Sequence, residues 1–148
     1  MELQKDIREF VELLLSENAE FLLVGGYALA VHGAPRFTED IDFLILVSPE
    51  NADRIATVIE RFGFGDLDLD LEDFLKPDFI IQLDRAPNRI DILTGIDGVE
   101  WNEAWKSRLS IELDGFAIPV IGKEMLIQNK LATGRTQDRA DAERLQQE

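Results

Sequence analysis

The sequence predicts an α/β (α+β) fold: a mixed sheet flanked by helices, with further helices at the carboxyl end. Three observations predict it. Segments of helical period alternate with short apolar runs through the amino-terminal half, hairpin patterns follow, and the chain from Lys123 onward is helical in pattern. Crossover and hairpin connections in one chain are the signature of a mixed sheet. The 148 residues fit one domain, 1–148, and a 45% apolar share with nine Phe and two Trp supplies its core.

Residues 3–16 form an amphipathic helix in which Leu3, Ile7, Phe10, Val11 and Leu14 share one face. Phe21 to Val24 is a buried strand running into a turn at Gly25-Gly26, and Tyr27 to His32 is a short helix closed by Gly33 and Pro35. Ile41 to Val47 is nearly all apolar and reads as a central strand covered on both faces. Ser48 is then an N-cap with Pro49 in the first turn. Ala52, Ile55, Ala56, Ile59 and Phe62 line one side of the helix that follows, which stops at Gly63. Phe79–Leu83 and Arg89–Leu93 read as strands around a turn near Ala86-Pro87-Asn88. A short helix over Trp101–Arg108 precedes a hairpin of Leu109–Leu113 and Ala117–Ile121 around Asp114-Gly115. Two final helices break near Gly134.

A formal charge of −15 repels phosphate backbones, which argues against broad nucleic-acid binding through a basic surface. It leaves a nucleotide open, because a bound divalent cation inverts the local field. Without Cys there is neither a disulfide framework nor thiolate chemistry. No apolar run approaches the roughly 20 residues that span a bilayer, and MELQKDIREF lacks the layout of a secretory signal. A cytoplasmic protein without a membrane partner is expected.

The chemistry concentrates in Leu23–Ala28 and Arg36–Phe43. Paired glycines between a strand and a helix let the backbone approach a ligand, and the free N–H groups of the new helix favour phosphate. Routine turns use such pairs as well. Asp40 and Asp42, two apart at the start of an apolar strand, point to one face while Ile41 and Phe43 point to the other. Carboxylates held side by side repel unless a cation lies between them, and Mg²⁺ takes hard oxygen ligands of this kind. Asp91, between Ile90 and Ile92, reads as the one residue of its face in a second short strand, and an isolated acid inside an apolar strand is costly without a cation or hydrogen bonds. If the two strands are neighbours, three carboxylates converge and can hold two metals for in-line phosphoryl chemistry.

Gly25-Gly26, then Asp40 and Asp42, then Asp91 on a later strand together resemble the nucleotidyltransferase superfamily, over residues 23–93. The likeness is strongest to small prokaryotic members related to toxin–antitoxin nucleotidyltransferases. Lys130 followed by Arg135, Asp138 and Asp141 extends it toward the carboxyl end. The resemblance implies a nucleotidyltransferase-like domain that moves a nucleoside monophosphate from a nucleoside triphosphate to an acceptor hydroxyl on a protein, an RNA or a small molecule. It implies Asp40, Asp42 and Asp91 as ligands of Mg²⁺ in a two-metal site, with Asp91 also a candidate general base. Gly25 and Gly26 would cradle the phosphates and Lys130 would balance them. The alternative is a non-catalytic module of the same fold acting as a toxin–antitoxin or regulatory partner. With little chain beyond the core, the acceptor site is expected from a protein partner or a second copy.

Other features are weaker. Asp66, Asp68, Asp70 and Glu72 fail the Ca²⁺-loop pattern, with Leu71 where Gly is needed, and read as a solvated acidic loop. His32, the single histidine, reads as a capping or packing residue. Arg36 and Thr38 either touch phosphate, which makes Thr38 a nucleotide-binding candidate, or fix the loop. For Asp138 and Asp141, three apart on a helix face, surface ion pairing with Arg135 or Arg139 and a role in the site are both open.

Overall fold

A computed structural model describes residues 3–35 and 38–147. Arg36, one of the loop candidates, lies outside the described residues. Helix α1 (Lys5–Ser16) buries Ile7, Phe10, Val11 and Leu14, the stripe its sequence spacing predicts, while Leu3 is buried just ahead of it. Strand β1 (Phe21–Val24) is buried along its whole length, and α2 (Gly25–Val31) follows without a break. The glycine pair is therefore the first turn of the helix, where a turn preceding Tyr27 was expected.

Strand β2 (Asp40–Ile45) begins at the first acid, one residue earlier than the apolar run alone suggests. Helix α3 (Pro49–Ile59) starts as predicted, with the Ser48 hydroxyl accepting from the Asn51 N–H. It runs into a π turn at Glu60–Phe64, in which Gly63 takes a φ of 101° that a side chain would resist. The acidic stretch 66–70 is largely exposed and leads to a 3₁₀ turn at Leu71–Leu75 whose Asp73 accepts from the Asp70 N–H, so it caps a turn and holds no Ca²⁺-type loop. Then come β3 (Ile80–Arg85), β4 (Asn88–Leu93), α4 (Trp101–Lys106), β5 (Leu109–Leu113), β6 (Phe116–Val120), α5 (Lys123–Ala132) and α6 (Thr136–Gln146). Asp114 and Gly115, at the β5–β6 turn, both have positive φ, as a two-residue Asp-Gly hairpin requires.

The six strands form one mixed sheet in the order β3-β4-β2-β1-β6-β5. β2 sits in the middle, antiparallel to β1 and parallel to β4, and the remaining pairs are the two hairpins and a parallel β1–β6 contact. On one side Phe43 packs its ring 5.7 Å from Phe10 of α1 and 5.6 Å from Phe21. The alternation of β2 therefore turns Ile41 and Phe43 into the core and presents Asp40 and Asp42 on the side of α2 and α5. Asn51 ties the layers together. Its buried side chain accepts from the Glu20 N–H and donates to the carbonyls of Glu20 and Leu46, so α3 is fastened to the entry of β1 and the exit of β2.

Candidate functional site

The β2–β4 register decides the site. Asp42 lies opposite Asp91 and Asp40 opposite Arg89, so all four side chains emerge from one face of two parallel neighbours. One carboxylate oxygen from each of Asp40, Asp42 and Asp91 lies within 4.8 Å of the other two. The convergence expected from sequence is present. Asp91 is buried, whereas Asp40 and Asp42 are half-buried.

Such crowding shows in the proton affinity of Asp42, which is pushed up to about 7. Burial is the largest cause; the charges of Asp91 and Asp40 and a hydrogen bond shared with Asp91 add to it, and Lys130 pulls the other way. Asp40 also reaches the Tyr27 phenol, which burial and then the Asp40 charge hold above its ordinary range.

The glycines serve this crowding. Gly25 has a φ of 69°, and a Cβ there would overlap the Asp42 carboxylate outright. Only glycine lets Asp42 lie against the backbone of the first turn of α2. At Gly26 a Cβ would come 3.0 Å from the Thr38 methyl. Thr38 is bound to the loop, its hydroxyl 3.0 Å from both the Asp40 carbonyl and Asp40 Oδ1, so it orients the first acid.

Sequence reasoning missed Arg89. An alternating strand places Arg89, Asp91 and Leu93 on the same face, so Asp91 does not stand alone there. The Arg89 Nε donates to Asp91 Oδ1 at 2.9 Å, and one terminal nitrogen donates to Asp91 Oδ2 at 3.0 Å and Asp40 Oδ2 at 3.1 Å. A guanidinium two residues before the acid was the available signal, since i and i+2 share a strand face.

Asp138 and Asp141 are buried, so the ion pairing left open for them meets carboxylates inside the fold and not at the surface. They hold Lys130, itself buried, with its ammonium 3.2 Å from Asp138 and 3.8 Å from Asp141. Thr133 and Arg135 complete the grip on Asp138 at 2.8 and 2.7 Å, so the Arg135 pairing does form while the carboxyl it meets is inside the fold. These partners together keep the Asp138 carboxyl below the usual carboxylate range despite its burial. His32 is a packing residue, its Nε2 2.7 Å from the Ile121 carbonyl.

Three hard-oxygen donors at this spacing, one with its proton affinity raised by burial and then by the charges of the other two, suit a hard divalent cation such as Mg²⁺ better than they suit one another. The donor set contains no nitrogen or sulfur that would favour a softer metal.

The model of the family described as nucleotidyl transferase AbiEii toxin, type IV TA system, matches residues 13–130. No curated protein matches the sequence. Among solved structures, the fold is similar to TM1012 of Thermotoga maritima, assigned to the nucleotidyltransferases, with a TM-score of 0.63 and 21% identity over 95% of this chain and 88% of that one. It is similar also to the antibiotic-resistance factor ANT(2'')-Ia in complex with adenylyl-2''-tobramycin (TM-score 0.59, 14% identity, 94% and 84% covered). The lincosamide antibiotic adenylyltransferase LnuA, lincomycin-bound, gives a TM-score of 0.57 at 18% identity over 98% and 97% of the two chains.

Proposed function

The chain belongs to the AbiEii nucleotidyltransferase toxin family, and on that premise we propose that it moves a nucleoside monophosphate from a nucleoside triphosphate to an acceptor hydroxyl at Asp40, Asp42 and Asp91. The observation that carries the proposal is the convergence of these carboxylates from two adjacent strands, within 4.8 Å. Bound Mg²⁺, in one or two sites, would neutralise the triphosphate and the charge developing in transfer. Asp40 and Asp42 would hold it together with the triphosphate. Asp91 would share in holding it and take the acceptor's proton as the hydroxyl oxygen bonds to the α-phosphorus and pyrophosphate leaves.

The surrounding residues have supporting parts in the same reading. Gly25 and Gly26 leave the backbone of α2 open beside Asp42, where phosphate oxygens would lie. Thr38 aims Asp40. Lys130, near enough to lower the proton affinity of Asp42, would balance the triphosphate as a point charge held in place by Asp138 and Asp141.

No helix among the described residues is long and apolar enough to cross a membrane. A cytoplasmic setting, where triphosphates and Mg²⁺ are plentiful, belongs to the proposal. So does a toxin–antitoxin partner protein. The neighbours that carry adenylyl-tobramycin or lincomycin support a hydroxyl-bearing acceptor in general. The test is transfer of label from each α-³²P nucleoside triphosphate, with Mg²⁺, into protein, RNA or small molecules of a cell extract. Labelling that requires both the chain and Mg²⁺ is expected. Absence of labelling together with absence of Mg²⁺-dependent nucleotide binding would leave the family's fold without its activity here.

A further inference from the structure

We propose that Arg89 is a built-in counter-cation that holds Asp40 and Asp91 together until a divalent metal takes their oxygens, and that the exchange turns its guanidinium out into the adjoining cleft. The inference rests on the reading of the three acids as a metal site.

Its ground is the geometry of the grip. Arg89 engages both oxygens of Asp91 and one of Asp40, at 2.9 to 3.1 Å. These are the atoms that a divalent cation would need. A guanidinium and a doubly charged metal cannot share two carboxylates without strong mutual repulsion, whereas either alone relieves the repulsion among the acids. Arg89 thus does without metal what the metal would do when bound.

The two cations near the acids differ in freedom. The Lys130 side chain is 8% exposed and clamped between Asp138 and Asp141, so it stays where it is. The Arg89 side chain is 38% exposed and can leave. The Asp91 side chain beneath it is 8% exposed and cannot. Room to leave exists. A cleft of about 420 Å³ adjoins the acids, lined by Glu39, Asp84 and Asn88 beside Arg89 and Asp40. Asp84 faces Arg89 in the β3–β4 register, and with Glu39 it offers the displaced guanidinium carboxylates in place of those it gives up. Metal arrival is thereby coupled to the passage of the guanidinium from the buried acid to the exposed carboxylates of the cleft.

Two measurements on the whole chain test this, neither using turnover. Mn²⁺ alone is titrated into wild type and Arg89→Gln. Loss of the three charge-assisted hydrogen bonds that compete with metal should tighten Mn²⁺ binding roughly tenfold, with a lower melting temperature before metal is added. Unchanged or weaker Mn²⁺ binding in the variant would overturn the proposal. In wild type, the Arg89 Nε–H signal in ¹⁵N NMR should lose its protection from hydrogen exchange as Mg²⁺ saturates the site. It is assigned by its absence in Arg89→Gln or, should that variant not fold, in Arg89→Lys. A signal that stays protected with Mg²⁺ bound would overturn the exchange and leave the metal site standing. No binding of Mn²⁺ to wild type would remove the metal reading and this proposal together.

Discussion

Asp42→Asn should stabilise the metal-free protein, and should do so only above mildly acidic pH. In the folded chain the Asp42 carboxyl is pushed up to about 7 from an ordinary 3.8. The folded state therefore binds more protons than the unfolded state between those values, and stability falls as pH rises through that window. At about 1.4 kcal/mol per pH unit the full penalty is ~4–5 kcal/mol, and water at the open side of the site leaves about 1–3 kcal/mol of it. Asparagine removes the charge while its amide can still donate to Asp91 as the protonated acid does. Urea unfolding in EDTA, followed by fluorescence of Trp101 and Trp105, would give the difference at pH 5 and pH 8. A gain of about 1–3 kcal/mol at pH 8 that shrinks toward pH 5 is expected. Equal gains at both pH values, or a loss at pH 8, would show that the acids do not crowd one another as the geometry implies.

Gly25→Ala should cost at least ~1–2 kcal/mol from its left-handed backbone alone. It should also lose Mn²⁺-induced stabilisation, because the new methyl displaces Asp42; a calorimetric scan with and without Mn²⁺ reads both effects. Lys130→Met should destabilise by roughly 3–5 kcal/mol by taking the shared ammonium from two buried carboxylates, and Asp138→Asn combined with it should recover part of that loss in urea titrations. Asn51→Ala, which takes the side-chain partner from the half-buried Glu20 N–H and from the Glu20 and Leu46 carbonyls, should cost about 1–3 kcal/mol while leaving the Mn²⁺ response intact.

What could be read from sequence was what repeats along the chain or sits at a boundary. The apolar stripe of α1, the Ser48–Pro49 helix start and the Asp114-Gly115 hairpin are local, since the residues that specify them lie within a few positions of one another. The acid triad was legible because two strands carried acids where apolar residues were due, and the parallel β2–β4 register then brought them together. Arg89 escaped notice because the flanking isoleucines drew attention to Asp91 as an isolated acid, while its partner on the same face was two residues back. Burial of Asp138 and Asp141 could not be read because α6 is polar in composition; it is the packing of α6 on α5 and the ammonium of Lys130 that make two inward acids tolerable. The role of Asn51 depends on chain segments 31 residues apart, beyond the reach of any local pattern.

The central claim, transfer of a nucleotide at the three carboxylates, is tested most directly by following nucleotide affinity and label transfer in wild type and Asp91→Ala with Mg²⁺ present. If Asp91 helps hold the metal and accepts the acceptor's proton, the variant should lose transfer while keeping part of its triphosphate affinity through Gly25, Gly26, Asp40 and Asp42. Contacts made mainly in the transition state change turnover more than binding. Transfer that survives at the wild-type rate in Asp91→Ala would contradict the account.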